Sequence, residues 1–562
     1  MRVLGLEGTA HTCGAGVVEA DPDDPGRCLV LSNRADMHRP ESGGIHPREA
    51  AEHHVRALPL VVRAALEDAA LAPRELDGIA FSQGPGLGPC LRTVATVARA
   101  LALRYELPLV GVNHCVAHIE IGRGTTACED PVMLYASGGN TQVIAEARGR
   151  YRVFGETLDI GIGNALDKFA RGLGLPFPGG PRIEELAREG AAMLAASGAP
   201  LPELPYSVKG MDLAFSGLMT AAEVLVRGGT PVPVVCHAFQ EWAYAMLVEV
   251  TERAVAHAGK DEVLLGGGVG RNLRLQEMLR TMAEERGARF FVPEGPLLSD
   301  NGAMIGWNGL LALASGHPTP LADSKVSQTY RTDAVDLVWR AETEGVVSAV
   351  PGGGDHMATG AEAVVDRGRF LGRDVVLKRR VAKGYRHPEI ERRLVEMRVR
   401  HETRLLVAAR EAGVSVPAVL DVDPEAGVLV LEEIVGPSVK AHLLSGRDGA
   451  GALFSDVGRR VARLHDAGIV HGDLTTSNLM LDPSGGVVFI DFGLAARTDE
   501  DEARAVDLHV LQEALLSTHR DSEPLWADFL SAYREAEPAH VDEVLRRYDE
   551  LVQRGRYRSM LG

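Results

Sequence analysis

Hydrophobic and polar positions in residues 1–330 alternate between the period of a strand and that of a helix. Short apolar runs that end in glycine turns, such as MRVLGLEG and LDGIAFSQG, predict strands, and GAGVVEA predicts the hairpin partner of the first. The segments PREAAEHHVRALPLVVRAALEDA and LRTVATVARALALRY predict helices. PVMLYASGGNTQVIAEA predicts two strands around a turn, and DEVLLGGGVGRNLRLQEMLRTMAEERG a strand, a glycine loop and a helix. This alternation predicts an α/β fold.

The periodic pattern stops near residues 341–356, where AETEGVVSAVPGGGDH gathers glycine and proline. We therefore predict three regions: a domain over 1–335, a linker over 336–356, and a small domain over 357–562 that ends in a basic tail. The 562 residues are enough for several domains.

Composition narrows the class of protein. With 59 basic and 77 acidic side chains the net charge is -18, so a nucleic-acid surface would have to be a local basic patch. The six cysteines include no CxxC pair, which favours reduced thiols. We see no signal peptide and no apolar run of membrane-spanning length, and we expect a cytoplasmic protein without membrane partners.

Residues 471–493, HGDLTTSNLMLDPSGGVVFIDFG, carry the polar residues of a kinase active site in the order that the chemistry requires. Asp473 is the candidate catalytic base that orients the acceptor hydroxyl. Asn478 and Asp491 are the candidate magnesium ligands, and Lys378 in VVLKRR is expected to contact the phosphates of Mg-ATP. Together these elements predict a kinase-like α+β domain of two lobes.

The rest of the kinase-like region departs from the usual pattern. Lys378 needs a carboxylate partner on a helix, for which we expect Glu402, with Glu396 as the alternative. No APE motif follows Asp-Phe-Gly, so a long activation loop has no room. The segment in the place of the nucleotide-covering loop has a single glycine; it comprises Met357, Ala358, Thr359, Gly360, Ala361, Glu362, Ala363, Val364 and Val365.

The C-terminal segment 553–559, QRGRYRS, is basic and includes an aromatic residue. Such a segment can contact RNA phosphates and bases. A solvated, frayed terminus is the alternative, and the sequence leaves both open.

Glycine loops in the N-terminal region point to a nucleotide. Gly266–Gly270 lies between a predicted strand and helix, where backbone N–H groups and the helix N-terminus can approach phosphate, and Asn272 follows it. The loops at 137–140 and 84–88 add to this, although tight turns needed for packing remain the alternative. Glu7-Gly8-Thr9 resembles the first phosphate loop of the actin/hexokinase/Hsp70 ATPase superfold, in which two lobes clamp a nucleotide.

His114 and His118 are four residues apart and share one face if they lie on a helix, so they can hold one metal ion. By itself, a histidine pair at this spacing is weak evidence for a metal site. The segment also lacks the Glu of the HExxH motif, which a zinc peptidase uses as its general base. Asp300 is a candidate third ligand and Tyr135 a fourth. This oxygen-rich set favours iron over structural zinc.

Seven segments together resemble the universal tRNA threonylcarbamoyladenosine transferase family, once described as a glycoprotease: GLEGTAHT, GPGLGPCLR, NHCVAHIE, LYASGGNTQ, IGNALDKFAR, LGGGVGRN and SDNGAMI. Residues 357–562 resemble the small atypical serine/threonine kinase of the KEOPS complex, whose loop is of the GAEA type. The order resembles the archaeal fusion of these two proteins.

The resemblance implies a function: transfer of threonylcarbamoyl from threonylcarbamoyl-adenylate to N6 of the adenosine 3′ of the anticodon in tRNAs that read ANN codons. It implies that the kinase domain acts mainly as an ATPase supporting the transferase. It also implies further KEOPS partners, a dimerising subunit and one that binds the tRNA end.

Site residues follow from the resemblance by matching position. Iron or a related divalent metal would be bound by His114, His118, Tyr135 and Asp300. The adenylate would contact Tyr135, Ala136, Ser137, Gly138, Gly139, Asp167, Gly180, Glu184 and Asn272.

Two other functions remain as alternatives at this point. One is a metal-dependent glycopeptidase. The other is a signalling protein kinase fused to a regulatory lobe that resembles a sugar kinase.

Overall fold

A computed structural model describes the chain except for residues 40–44, 148, 341–355, 360–362, 447–448, 520–521, 539 and 561–562. The chain divides into two compact units. Unit 1 comprises Met1–Ser348 and Gly384–His387, and unit 2 comprises Ala349–Lys383 and Pro388–Gly562.

Unit 1 contains two five-stranded sheets of the same topology. The first has the order β3-β2-β1-β4-β5, with β1 (Arg2–Glu7), β2 (Thr12–Ala20), β3 (Cys28–Met37), β4 (Gly78–Gly84) and β5 (Leu109–Asn113). The second has the order β12-β11-β6-β7-β8, with β6 (Val132–Ala136), β7 (Thr141–Ala147), β8 (Arg150–Glu156), β11 (Glu262–Gly266) and β12 (Arg289–Phe291). A short ladder joins β9 (Val208–Lys209) to β10 (Asp212–Leu213).

In each sheet the central strand pairs antiparallel with its hairpin partner on one side. On its other side it pairs parallel with a strand from later in the chain. The antiparallel partners of β1 and β6 are β2 and β7, and their parallel partners are β4 and β11. This duplicated mixed sheet confirms the predicted α/β class and is the arrangement expected of the actin-like superfold.

The helices of unit 1 are α1 (Pro47–Asp68), α2 (Gly88–Tyr105), α3 (His114–Thr125), α4 (Ile162–Gly172), α5 (Gly179–Ser197), α6 (Ser216–Arg227), α7 (Val232–Ala258), α8 (Leu273–Glu285), α9 (Gly295–Leu298) and α10 (Gly302–Ala314). Four of them cover the two faces of the first sheet: α1 and α2 lie on one face, and α3 and α10 on the other. Because side chains alternate along a strand, Leu4 and Leu6 pack with α1 and α2 whereas Val3 packs with α3 and α10.

Helix α10 lies directly against β1, and glycines make this approach possible. A Cβ built on Gly5 would be 2.1 Å from the backbone nitrogen of Gly306. No side chain fits at that position, so the sequence needs glycine there. The contact fixes the segment just before α10, which includes Asp300, relative to the end of β1.

Unit 2 has an antiparallel sheet and a helical part. The sheet has the order β13-β14-β15-β17-β16, with β13 (His356–Thr359), β14 (Ala363–Phe370), β15 (Arg373–Arg380), β16 (Val419–Asp423) and β17 (Val428–Glu432). The helices are α11 (Pro388–Glu411), α12 (Val439–Ser445), α13 (Ala450–Asp466), α14 (Asp501–Thr518), α15 (Glu523–Glu535) and α16 (Val541–Met560). Two ladders pair β18 (Ile469–Val470) with β21 (Ala496–Arg497) and β19 (Leu479–Leu481) with β20 (Val487–Phe489).

The structure places the ends of the predicted linker in folded elements. Leu337 is buried in unit 1, Arg340 contacts Asp130, and His356 begins β13. The region between these ends, 341–355, lies outside the described residues, as do residues 360–362 of the predicted nucleotide-covering loop. The side chains of the predicted basic tail, 553–559, are also outside the described set, although α16 runs to Met560.

Among the described residues, no helix combines the length and the apolar character that crossing a lipid bilayer requires.

Candidate functional site

The histidine pair opens α3, at the carboxyl end of β5. Asn113 caps this helix, because its side-chain oxygen accepts hydrogen bonds from the backbone N–H groups of Cys115 and Val116. The rings of His114 and His118 then lie on one face with centroids 4.9 Å apart, and both side chains are buried.

Asp300 and Tyr135 reach the same place from distant parts of the chain. The Asp300 Oδ1 atom lies 3.3 Å from His114 Nε2 and 3.4 Å from His118 Nε2. The Tyr135 hydroxyl lies 3.1 Å from His114 Nε2. Asn301 holds the Asp300 segment by capping α10 through the Met304 N–H. The structure thus brings together all four side chains that the sequence singled out as a metal site.

These four side chains fit a divalent transition metal. The donor atoms of His114, His118 and Asp300 all lie within 4.8 Å of one another. His118 Nε2 is buried and makes no hydrogen bond with any described residue, although it points into this cluster. Imidazole, carboxylate and phenol donors together suit a metal such as iron better than a structural zinc site does.

Charge around His114 is consistent with such a site. Burial disfavours the imidazolium, but Tyr135, Glu7 and Asp300 raise the pKa of His114 well above its ordinary value. Burial lowers the pKa of His118, which has less compensation from Asp300. Burial opposes ionisation of Asp300, yet His114 holds its pKa well below the usual range. His114 and Asp300 therefore favour each other's charged forms, and a metal bound here would replace the proton of His114 as the partner of the Asp300 carboxylate.

Glu7 is a partner of His114 that the sequence alone did not reveal. Its Oε2 atom lies 3.2 Å from His114 Nδ1. Its Oε1 atom accepts hydrogen bonds from the N–H and O–H groups of Thr9, at 2.7 and 2.6 Å. The sequence predicted a phosphate loop at Glu7-Gly8-Thr9, whereas the structure uses Glu7 and Thr9 to orient His114. The signal in the sequence was an acidic residue at the end of a buried strand.

The predicted adenylate loop follows Tyr135 directly. Gly163 and Asn164, at the start of α4, donate backbone hydrogen bonds to the carbonyls of Ser137 and Gly138. The glycine loop after β11 lies on the other side, where Gly267 has φ 89 and a Cβ would be 2.3 Å from the Ala136 carbonyl oxygen. Residues 135–139 are therefore held between the metal cluster, α4 and the second glycine loop.

Hydrogen bonds join two of the other predicted substrate residues to the first residues of α5 and α8. Asp167, on α4, accepts a hydrogen bond from the Gly179 N–H, next to Gly180, and burial raises the pKa of Asp167. Glu184, on α5, accepts a hydrogen bond from the Leu273 N–H.

The sequence predicted Asn272 in the first turn of a helix, and the structure shows that it also stabilises the start of that helix. It is the N-cap of α8: its oxygen accepts a hydrogen bond from the Leu275 N–H and its amide donates to Gln240. A contact with a nucleotide would have to share or replace these bonds.

The glycine loop at 84–88 packs against the backbone of Thr9 and Ser327. A Cβ on Gly86 would be 2.6 Å from the Thr9 carbonyl oxygen, and one on Gly84 would be 1.8 Å from the Ser327 carbonyl oxygen. Close backbone packing, which the sequence left open as the alternative to nucleotide binding, accounts for Gly84 and Gly86.

A second site lies within unit 2. Lys378, on β15, donates to Glu402 Oε1 at 2.5 Å and to Asp491 Oδ1 at 2.7 Å. Glu402 on α11 is thus the partner of Lys378, and Glu396 pairs with Arg392 and Arg400 instead. Burial would lower the pKa of Lys378, but Glu402 and Asp491 raise it, so the ammonium is charged.

The β19–β20 hairpin brings the remaining kinase residues together. Asn478 lies directly before β19. Its backbone carbonyl accepts a hydrogen bond from the N–H group of Ile490, the residue before Asp491. The Asn478 amide donates to Asp473 Oδ2 at 2.9 Å. The pKa of Asp491 stays low because the Lys378 ammonium outweighs the effect of burial. The four polar residues of the kinase pattern therefore form two contacting pairs, Lys378 with Asp491 and Asn478 with Asp473, and the Ile490–Asn478 backbone hydrogen bond joins the two pairs.

Backbone geometry at Asp491 is unusual. It has φ 61, in the left-handed region that non-glycine residues rarely adopt. Helix α14 begins at Asp501, soon after Gly493, which confirms that a long activation loop has no room.

Comparison with known proteins assigns a family to each of two parts of the chain. Residues 28–307 match the family model of tRNA N6-adenosine threonylcarbamoyltransferase (TsaD), and residues 371–509 match the RIO domain. The TsaD family is metal-dependent and RIO kinases bind ATP.

Several relatives match along their whole length. A probable bifunctional tRNA threonylcarbamoyladenosine biosynthesis protein of Methanoculleus marisnigri is 51% identical over 555 residues, covering 99% of this chain and 98% of that protein. Proteins described in the same words from Methanothermobacter thermautotrophicus and Haloarcula marismortui are 49% and 45% identical, and each alignment covers 99% of this chain and 100% of the relative. A solved structure, YeaZ from Pseudomonas aeruginosa, matches 27% of this chain and 64% of its own at 20% identity, with a TM-score of 0.20.

These matches leave the glycopeptidase and the signalling kinase without support, since the two domains occur in the same order in relatives that share the full length. The chain belongs to the family of bifunctional tRNA threonylcarbamoyladenosine biosynthesis proteins, in which a tRNA threonylcarbamoyltransferase domain is fused to a RIO kinase domain.

Proposed function

We propose that unit 1 transfers the threonylcarbamoyl group from threonylcarbamoyl-adenylate to N6 of the adenosine 3′ of the anticodon, in tRNAs that read ANN codons. The observation that supports this most directly is the position of Tyr135. Its hydroxyl belongs to the metal cluster, 3.1 Å from His114 Nε2, and its backbone leads into the loop Ser137–Gly139. The proposed phosphate loop and the proposed metal site are therefore neighbours along one strand.

The reaction suits this arrangement. The donor is a mixed anhydride, and the N6 amine attacks its carbonyl carbon while the bond to AMP breaks. A divalent metal held by His114, His118, Tyr135 and Asp300, which we propose to be iron, supplies Lewis-acid polarisation when bound. The backbone N–H groups of Gly138 and Gly139 are suited to the phosphate, because the start of α4 adds positive potential beside them.

Binding of the rest of the donor involves the neighbouring side chains. We assign contacts with its adenosine and threonyl parts to Asp167, Gly180, Glu184 and Asn272. Positioning contributes much of the rate when the nucleophile is a weak amine, because it converts a bimolecular encounter into a reaction within one complex.

In unit 2, we propose that Asp473 is the base, that Asn478 and Asp491 bind magnesium, and that Lys378 contacts the phosphates of ATP. The predicted loop 357–365 would cover the nucleotide. Because no long activation loop exists, we propose that ATP hydrolysis in support of the transferase is its main activity. Further KEOPS subunits and contacts between tRNA and segment 553–559 are part of the same proposal.

Nucleoside mass spectrometry tests the transfer. Unmodified tRNA is incubated with the full chain, its KEOPS partners and threonylcarbamoyl-adenylate. We expect threonylcarbamoyladenosine from the unaltered chain and none from His118→Ala, while ATP hydrolysis continues. No product from the unaltered chain with all partners present would overturn the proposal.

A further inference from the structure

Residues 319–333, which we call the strap, lie against β4 and β5 after α10 has ended. β5 is the edge strand of the first sheet. Thr319 covers that edge, because its N–H donates to the Leu109 carbonyl at 2.7 Å and its hydroxyl accepts from the Gly111 N–H at 3.0 Å. Such pairing protects an edge strand. Edge protection does not account for the contact that the strap makes with the side chain of Asn113.

Asn113 joins the strap to the helix that carries the histidine pair, and it is 2% exposed. Its Oδ1 atom accepts from the N–H groups of Cys115 and Val116 in α3, at 3.0 and 3.2 Å. Its Nδ2 atom donates to the carbonyls of Tyr330 and Arg331 in the strap, at 3.1 and 3.2 Å. The oxygen thus accepts two hydrogen bonds and the NH₂ group donates two, which uses the full capacity of a side-chain amide.

We propose that Asn113 is a positioning residue that couples the strap to the metal site. The docked strap holds the start of α3 where His114 and His118 can bind a metal together, and a bound metal holds the strap in place in return. The coupling rests on the proposed metal site of unit 1. It adds to that site a residue and a segment that provide no ligand.

The physical reason is that Asn113 directly precedes His114. If the strap moves away, the NH₂ group of a buried amide loses both acceptors, which is unfavourable unless Asn113 and the first turn of α3 shift to find others. Metal binding tolerates errors of only about 0.2 Å in the distances to its ligands, so a small shift of that turn lowers the affinity. A docked strap therefore favours the metal-binding position of α3.

Coupling between two sites is reciprocal. If the docked strap raises metal affinity by some factor, saturating metal lowers the population of the open strap by the same factor. Amide hydrogen exchange reports such local opening. The Ser327 N–H is a suitable probe, because it donates to the Gln83 carbonyl at 2.9 Å and is released when the strap opens.

The first test is the affinity of the metal-depleted full chain for Fe(II), measured without oxygen by competition with a calibrated chelator. Asn113→Asp keeps the shape and the acceptor for α3, but it places a negatively charged oxygen against the two strap carbonyls. It should raise the Kd for Fe(II) about tenfold, the lower end of what loss of a supporting contact costs a metal site. A native Kd in a folded Asn113→Asp chain would overturn the proposal.

Gln83→Glu is the matched control. Gln83 Nε2 donates to the carbonyls of Asp323 and Lys325 in the strap, at 3.0 and 2.8 Å. The same replacement of an amide by a carboxylate is therefore made against the same segment, at a residue that does not cap α3. Gln83→Glu should keep the native Kd for Fe(II). An equal loss in both variants would indicate general destabilisation and would refute the role of Asn113.

Hydrogen exchange in peptides that span residues 326–333 is the second measurement. Saturating Fe(II) should slow exchange there in the unaltered chain by the factor that Asn113→Asp loses in affinity, and should leave α15 of unit 2 unchanged. Asn113→Ser serves if Asn113→Asp folds poorly, because serine also caps a helix but is too short to hold the strap as well. In either variant Fe(II) should no longer protect the strap. Equal protection in variant and unaltered chains, or none in the unaltered chain, would contradict the coupling.

His118→Ala separates this coupling from the metal site on which it rests. If the unaltered chain binds no Fe(II), or if His118→Ala binds it as tightly, the proposed metal site is wrong. If His118→Ala loses Fe(II) while the Asn113 variants bind it as the unaltered chain does, the metal site stands and only the coupling is refuted.

Discussion

Replacement of Glu7 by glutamine should weaken metal binding in unit 1 without changing any of the four proposed ligands. Glu7 is wholly buried and lies 3.2 Å from His114 Nδ1. Because His114 Nε2 faces Asp300 and Tyr135, Nδ1 carries the proton when Nε2 binds a metal. The carboxylate of Glu7 then accepts a hydrogen bond from the Nδ1–H group. This bond fixes the orientation of the His114 ring and increases the basicity of Nε2.

Glutamine has the same shape but only one acceptor oxygen. In the native chain the Thr9 N–H and O–H donate to one oxygen of Glu7, and His114 Nδ1 faces the other. The NH₂ group of a glutamine must therefore face a donor in either orientation: the Thr9 groups on one side or His114 Nδ1 on the other. Loss of such a carboxylate partner typically lowers metal affinity about 10- to 100-fold, or about 1.4–2.8 kcal/mol.

The assay is competition for Fe(II) between the metal-depleted full chain and a calibrated chelator, without oxygen. The control is Glu19→Gln, at the other end of the same hairpin, where Glu19 pairs with Arg2 at 2.9 Å. We expect Glu7→Gln to lose affinity and Glu19→Gln to retain it. If Glu7→Gln keeps native affinity while far-ultraviolet circular dichroism is unchanged, Glu7 does not orient a metal ligand and the argument fails.

The remaining predictions concern both units. His118→Ala should abolish metal retention, measured by elemental analysis, and leave ATP hydrolysis unchanged; retention of metal would mean that the site is misassigned. Asp473→Asn should abolish ATP turnover without altering the thermal unfolding curve, and unchanged hydrolysis would place the base elsewhere. Gly5→Ala should lower the free energy of unfolding by about 1–3 kcal/mol or more, because its Cβ would clash with α10. Gly217→Ala is the control, since that position is open and helical, and equal stability of the two variants would contradict the packing argument. Removal of the chain after Val552 should weaken tRNA binding and reduce its salt dependence, and an unaltered salt slope would exclude the tail from binding.

Local spacing in the sequence was enough to predict several of the strands and helices, the candidate metal pair and the candidate kinase residues. An interval of four residues places His114 and His118 on one face of α3 wherever that helix lies. The order of Asp473, Asn478 and Asp491 predicted a kinase site for a similar reason, because a short hairpin joins them. Glycines after strands predicted the loops at 137–140 and 266–270. These features depend on residues close together in the chain.

Contacts between distant residues depended on the tertiary structure. Glu7 meets His114 across 107 positions, and Arg380 meets Glu402 only because β15 and α11 bring them together. Similar sequence signals also had different outcomes: one glycine loop lies beside the metal cluster, whereas the loop at 84–88 serves backbone packing.

The physical reason is that periodicity and motif spacing report the environment of a residue but not its partner. A buried carboxylate in a strand, such as Glu7, must be paired, and the sequence does not say with which group. The choice is made by packing, as where Gly5 lets α10 approach β1 and so fixes Asp300 close to His114. The sequence by itself determined the α/β pattern of the first region, the candidate histidine pair, the kinase residues and their order along the chain. The tertiary structure decided which side chains support each site.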